Sequence, residues 1–347
     1  MQDSLTAFAA LAIVLTAAVL SAALIVALRP WLVHYAMAKP NERSSHKAPT
    51  PQGGGIAVIG ATLIASGVVL FVFGKVNDNP LPLLVIFVAV LLVAGVGVIA
   101  DKRPIGPAPR LALQTFAVAA VLATLPPELR LLPILPWWGE RILLLLGTLW
   151  FVNLVNFMDG LDWMTVVEVT PITAALAAIG FLGVLPWRDI VISLALCGAM
   201  IGFSFFNRPV ADLFLGDVGS LPTGLLLSWL LLDLAGSGGR AAAVLLPLYY
   251  LADSTITLLR RAVNSEPIWQ AHRSHFYQRA TDRGFRVIQV VARVFVINVA
   301  LAALALVTIL IPSSATDIAA VGVGMVLVAW LLVVFARGPA RHLPHSP

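Results

Sequence analysis

Charge is scarce in this sequence. Asp, Glu, Lys and Arg make up 11% of its 347 residues, where a soluble domain carries about 25%, which argues against a water-facing globule. Cysteine is nearly absent. With Cys197 alone, no disulfide closes within the chain and no zinc site of cysteines and histidines assembles. Internal repeats, low-complexity linkers and a second soluble domain are missing too. What fills the chain is apolar: 60% hydrophobic residues and a mean hydropathy of +0.96.

That apolar content falls into windows of bilayer-crossing length, about 20 residues. They lie at roughly 5–28, 53–73, 82–100, 111–125, 142–157, 166–185, 189–206, 221–234, 241–259, 287–311 and 316–336. Those near 111–125 and 221–234 are short, so the expectation is an all-α polytopic membrane protein of about 10–11 spanning helices, organised as a single transmembrane domain over 1–347. The first positive residue, Arg29, follows the first window, which predicts an N-terminus outside and a C-terminus in the cytoplasm. That first window has no basic segment ahead of it and exceeds a signal-peptide core, so it is expected to be retained. Lys75, Arg130, Arg141, Arg188 and Arg240 fall on the loops of one side. The other seventeen of the 22 Lys and Arg fall on or beside the opposite loops, counting Arg293 just inside the tenth window. The formal net charge of +5 therefore reads as a topology signal and an attraction to anionic lipid, not as nucleic-acid binding. The tail, 337–347, reads as disordered.

A carboxylate at the bilayer centre costs roughly 2.5–3.5 kcal/mol on insertion scales, so the positions of the acids carry meaning. Asp101 follows the third window, Asp159 and Asp162 the fifth, and Asp212 and Asp217 the seventh. All are expected on the cytoplasmic face, in loops at about 29–52, 101–110, 156–165, 207–220 and 260–286. An active site assembled from loops on a helical scaffold has this pattern.

In NLVNFMDGLDW, residues 153–163, Asn153, Asn156 and Asp159 step by three and share a helix face. Gly160 is a natural helix end, freeing Asp162 to turn back toward the same place. Capping explains an isolated NxxN; four amides and carboxylates within ten residues suit a metal or the polar edge of a ligand. In FLGDVGS, Asp217 sits between glycines ahead of an apolar helix, where backbone amides favour anions and an acid beside a phosphate suggests a bridging Mg²⁺. A plain helix cap before Ser220 is the alternative. ERSSHKAPTPQGGG, 42–55, places Arg43, His46 and Lys47 before three glycines, suiting phosphate; a solvated positive loop is the alternative. HRSHFYQRATDRG, 272–284, offers His272 and His275 among Arg273, Arg279 and Arg283, better suited to phosphate or sugar than to metal. A plain surface helix is the alternative there.

NxxNxxDGxxD and FLGDVGS, in this order, resemble the polyprenyl-phosphate N-acetylhexosamine-1-phosphate transferase superfamily, to which phospho-MurNAc-pentapeptide translocase belongs. The resemblance covers about residues 40–285, and HRSHFYQR is most similar to the branch that starts O-antigen. It implies transfer of an N-acetylaminosugar 1-phosphate from a UDP-sugar to undecaprenyl phosphate, with release of UMP, at the bacterial inner membrane. By the same resemblance Mg²⁺ (with Mn²⁺ as a substitute) is the cofactor, Asp217 and Asp159 are its ligands, and Asp101, Asp159 and Asp217 are catalytic. Lys47, Asn153, Asn156, Asp162, His272, Arg273 and His275 would bind substrate, and a homodimer follows by analogy.

Two positions depart from the family pattern. Members have an Asp-Asp pair ahead of a basic stretch and RLxxQ; here Ala100 replaces the first aspartate, before RLALQ at 110–114. Trp163 stands where a glycine commonly follows the second aspartate of the opening motif. Ala100 keeps an inactive relative as a competing reading. A transporter is the reading from another class, with Asp253 as the residue clearly inside a window.

Overall fold

The computed structural model describes residues 2–38, 49–72, 80–102, 106–126, 128–267 and 272–339. Lys47, with Arg43 and His46, lies outside the described residues, as does most of the tail expected to be disordered, 340–347. The helices are α1 (Gln2–Tyr35), α2 (Gly54–Val72), α3 (Leu81–Lys102), α4 (Pro107–Ala123), α5 (Trp137–Met158), α6 (Met164–Phe181) and α7 (Trp187–Ser204). They continue with α8 (Asp217–Gly236), α9 (Arg240–Leu245), α10 (Leu248–Val263), α11 (Phe276–Asp282), α12 (Val287–Leu310) and α13 (Ser314–Arg337). One two-residue antiparallel ladder joins β1 (Met37–Ala38) to β2 (Thr50–Pro51).

Among the described residues, nine helices are long and apolar enough to cross a membrane, so the chain is a multi-pass helical membrane protein. Every expected window became helical, with two differences. The window near 111–125 is the 17-residue α4. The window at 241–259 is broken into α9 and α10 at Leu246 and Pro247, because proline has no N–H to continue the ladder. The short window at 221–234 is the full 20-residue α8. Its first turn carries Asp217, Gly219 and Ser220, which a hydropathy reading cuts off.

α8 is the central helix, buried along nearly its whole length against α2, α3 and α5. Outer helices turn side chains such as Phe8, Leu11, Leu84, Val88, Val326 and Trp330 outward, as a lipid-facing surface requires. Close packing rests on small residues. A side chain at Gly198 or Gly202 of α7 would run into the backbone of α1 at Val14 or Ala18, the small-xxx-small approach of membrane helices. Some polar groups inside the bundle are paired across helices: Asn298 Nδ2 donates to Glu168 Oε2 at 2.6 Å, and Arg188 of α7 reaches Asp233 of α8 at 2.9 Å. Glu168 lies within a helix of spanning length, α6.

α1, α3, α5, α7 and α10 end, and α2, α4, α6 and α8 begin, at one and the same end of the bundle. This is the end where Asp101, Arg110, Asn156, Asp159 and Asp217 collect.

Candidate active site

The site is built on the start of α8. Its first two amides, Asp217 N and Val218 N, donate to Asp101 Oδ1 and Oδ2 at 3.0 and 3.2 Å. Asp101, at the end of α3, thus caps a helix from outside and places negative charge against its positive end. The same arrangement removes the plain-cap alternative for Asp217, whose side chain makes no cap to its own helix. It also means that these two amides are not open to a phosphate.

The three glycines 53–55 serve the same join. Gly53 N and Gly54 N donate to Phe214 O, and Gly55 N to Leu215 O, at 2.9–3.1 Å. A Cβ on Gly55 would strike Gly219, and one on Gly97 would strike Asp217 and Val218. The run read as a phosphate cradle is instead the contact that lets α2 and α3 reach the backbone of α8. Gln52 adds a side-chain bond, Nε2 to Asp101 O at 2.8 Å.

Freed from capping, Asp217 faces α4 and α5. Arg110 Nη1 lies 2.7 Å from Asp217 Oδ2, and Asn156 Nδ2 donates to Asp217 Oδ1 at 2.6 Å and to Ser220 Oγ at 2.8 Å. Arg110 Nη2 donates to Asn156 Oδ1 at 3.0 Å, which closes a three-residue ring. One turn deeper, Asn153 Nδ2 donates to Gln114 Oε1 at 2.8 Å. Arg110 and Gln114, four apart on α4, therefore meet Asn156 and Asn153, three apart on α5. The expectation that the asparagines share a face holds, and their partners are the ends of RLALQ. Arg110, the first residue of RLALQ, adds to the expected site residues.

Asp159 follows α5 as its C-cap and accepts the Thr165 hydroxyl at 2.5 Å. Burial, together with the charges of Asp217, Asp101 and Asp162, raises its pKa to about 7, against the lowering effect of the Thr165 bond. Asp162 lies near enough for its charge to act on Asp159, and its side chain is also used elsewhere. It is 6% exposed and its Oδ2 accepts Ala211 N at 3.1 Å, tying down the segment after α7. The residue of this stretch with a left-handed backbone is Trp163, at φ 64°, a conformation that glycine adopts more readily. Trp163 N donates to Asn207 Oδ1 at 2.8 Å and Nε1 to Ser204 O at 2.7 Å, so two bonds hold the unfavourable conformation. Gly160 has no positive φ; it lacks a side chain because Tyr277 Oη occupies that space while donating to Phe157 O at 3.0 Å.

That tyrosine docks the histidine segment onto the end of α5. Residues 272–275 precede α11 and are not helical. Asp253, fully buried in α10, accepts Phe276 N and Tyr277 N at 3.0 and 3.2 Å, and lies 3.3 Å from His275 Nδ1. Asp253 thus anchors the segment and does not line a cleft. His275 is 2% exposed and stacks between His272 and Tyr277, with centroids at 4.9 and 5.7 Å. Half-buried His272 faces Ser274 Oγ at 2.8 Å. Arg273 pairs with Asp282 at 3.0 Å. Direct contact with a substrate would fall more readily to His272 than to His275, whose ring is turned inward.

Among the described residues, no group of three or more His, Cys, Asp or Glu side chains is placed to hold a metal ion. Asp217 and Asp159, with Asn156, offer hard oxygen donors in small number. That set suits Mg²⁺, which keeps several waters and takes one or two carboxylates along with substrate phosphates.

Fold and site define a helical membrane protein with an acidic, arginine-bearing centre at one end of the bundle. Residues 83–235 match the family Glycosyl transferase family 4. It is 29% identical, over 72% of its length and 70% of the relative's, to a decaprenyl-phosphate N-acetylglucosaminephosphotransferase of Mycobacterium tuberculosis. It is 23% identical to a probable undecaprenyl-phosphate N-acetylglucosaminyl 1-phosphate transferase of Bacillus subtilis, over 70% of this chain and 69% of that one. A shorter stretch, 12% of this chain and 11% of the relative, is 45% identical to a phospho-N-acetylmuramoyl-pentapeptide-transferase of Aliarcobacter butzleri.

Proposed function

We propose that this protein is a polyprenyl-phosphate sugar-1-phosphate transferase. In the finer reading, it moves an N-acetylaminosugar 1-phosphate from a UDP-sugar to undecaprenyl phosphate, starting O-antigen or another cell-envelope polysaccharide. An oxygen of the lipid phosphate attacks the sugar-linked phosphorus, the bond to the UMP oxygen breaks, and UMP leaves. The observation that carries this reading is the meeting of Asp217, Asn156, Asp159 and Arg110 at one end of a membrane bundle, where a lipid-borne phosphate can reach them. Phosphoryl transfer asks mainly for positioning and charge neutralisation, and these residues supply both.

When bound, Mg²⁺ would neutralise the diphosphate, with Asp217 and Asp159 holding it. Asn156 orients Asp217 through the 2.6 Å bond, and Gln114 fixes Asn153 behind it. The second pKa of a phosphate monoester is about 6, so most of the lipid phosphate is already dianionic at pH 7 and the attack needs little help from a base.

The test is release of UMP in the purified protein with undecaprenyl phosphate and a panel of UDP-aminosugars, with and without Mg²⁺. Ala100 favours one second reading, an inactive relative. No turnover at any pH, restored by Ala100→Asp, would establish it; turnover by the unaltered chain rules it out.

We place the acidic end in the cytoplasm. The charge split supports this, since Arg130, Arg141, Arg188 and Arg240 belong to the opposite helix ends. Because Cys197 is buried, single introduced cysteines report cleanly. An impermeant maleimide should label Glu128→Cys in intact spheroplasts and Asp212→Cys only after lysis.

A further inference from the structure

Both oxygens of the Asp217 carboxylate are in use. Oδ2 carries Arg110 Nη1 at 2.7 Å, and Oδ1 carries Asn156 Nδ2 at 2.6 Å. The second guanidinium nitrogen, Nη2, bonds Asn156 Oδ1 at 3.0 Å. A divalent ion needs a carboxylate oxygen at about 2.0–2.1 Å, and an oxygen already facing a guanidinium cannot serve both cations without strong repulsion. The side chains of Arg110 and Asp217 are 23% and 25% exposed, so water reaches the pair and packing does not lock it. The backbone beneath is held independently. Gln114, one turn along α4, is fully buried and accepts Asn153 Nδ2 at 2.8 Å. The long arginine side chain can therefore move while α4 stays in place.

We propose that Arg110 is a displaceable counter-ion. It neutralises Asp217 in the metal-free protein, and when a divalent cation takes Asp217 the freed guanidinium binds a phosphate oxygen of the donor. The inference rests on the reading of Asp217 as a metal-binding residue. Its consequence is a coupling between two ligands. Metal alone binds weakly, because it must displace Arg110 and leave a guanidinium without its anion. Diphosphate alone binds weakly, because the arginine is occupied. Together each removes the other's obstacle, and such couplings typically amount to about 5–150-fold in affinity. Guanidinium suits the exchange, since its fork pairs equally well with carboxylate and phosphate.

The test uses the full-length protein in nanodiscs, with Mn²⁺ as the probe read by its free-ion electron paramagnetic resonance signal. UDP serves as the diphosphate, and metal bound by UDP itself is subtracted. In the unaltered protein, UDP should tighten Mn²⁺ binding about tenfold or more. Arg110→Gln should bind Mn²⁺ alone about tenfold tighter than the unaltered protein, and UDP should add little to it. Arg110→Lys, which keeps a charge, should stay near the unaltered value for Mn²⁺ alone.

A second readout needs no variant. Phenylglyoxal modification of Arg110, followed by mass spectrometry, should rise when Mn²⁺ is added and fall when Mn²⁺ and UDP are added together. If Asp217→Asn abolishes Mn²⁺ binding while Arg110→Gln leaves it unchanged or weaker, the displacement is refuted and Asp217 remains a metal residue. Unchanged Arg110 labelling on adding Mn²⁺ refutes it as well. If Asp217→Asn binds Mn²⁺ as well as the unaltered protein does, the metal reading itself fails, and the inference falls with it.

Discussion

The Asp101 carboxylate receives the Asp217 and Val218 amides at 3.0 and 3.2 Å, across 116 residues of sequence in the case of Asp217. The end of one membrane helix thereby fixes the start of another. Asp101→Ala should leave both amides unpaired and cost about 0.5–2 kcal/mol, the usual loss on removing a helix cap. We expect a lower thermal midpoint together with lower activity. A variant that loses activity with an unchanged midpoint would assign Asp101 to chemistry instead.

Asp217 is expected to behave in the opposite way. Asp217→Asn keeps the Asn156 contact but loses the negative charge beside Arg110, which is partly exposed and so contributes little to stability. Turnover should fall by at least about 10²-fold, the scale on which one electrostatic group acts in catalysis. The detergent-extracted protein should stay folded. Near-normal UMP release from the variant would sink the proposed role.

Asp253 is expected to act on the histidine segment at a distance. Asp253→Asn replaces one of two accepting oxygens by a donor facing the amides of Phe276 or Tyr277. Losing a buried hydrogen bond to a charged group costs about 1.5–3 kcal/mol. Residues 272–275 should become readily cut in limited proteolysis, with KM for the donor rising more than kcat falls. An unchanged cleavage pattern would show that Asp253 does not anchor the segment.

The raised pKa of Asp159 predicts the pH dependence of the metal-free protein. Its carboxyl titrates near 7 folded, against 3.8 ordinarily. Between those values the folded state binds the extra proton, so stability falls as pH rises from 3.8 to about 7 and levels off above. In EDTA, Asp159→Asn should lose part of this slope and melt higher than the unaltered protein at pH 8 by about 2–4 °C. Identical pH profiles for the two proteins would contradict the shift.

Several features of the protein were legible from composition and short-range pattern alone. Apolar windows located the spanning helices, since crossing a bilayer depends on the local run of apolar residues and hardly on what packs beside it. NxxNxxDGxxD with FLGDVGS indicated the family. Trp163 was visible as an anomaly, although its φ of 64° was not.

Tertiary structure decided the partners. Lone pairs and N–H groups are satisfied by whatever the packing brings near, and several groups offered equally good chemistry. Asp101, legible as an acid beside the site, also holds the start of a helix. The glycines 53–55 could have wrapped a phosphate and instead admit the backbone of α8. His275 could have faced a donor and instead faces Asp253. Arg110, a single basic residue in an otherwise ordinary helix, became a partner of Asp217 because α4 lies against α5, and α5 against α8. That contact depends on the shapes of three helices at once, which no local run of residues encodes.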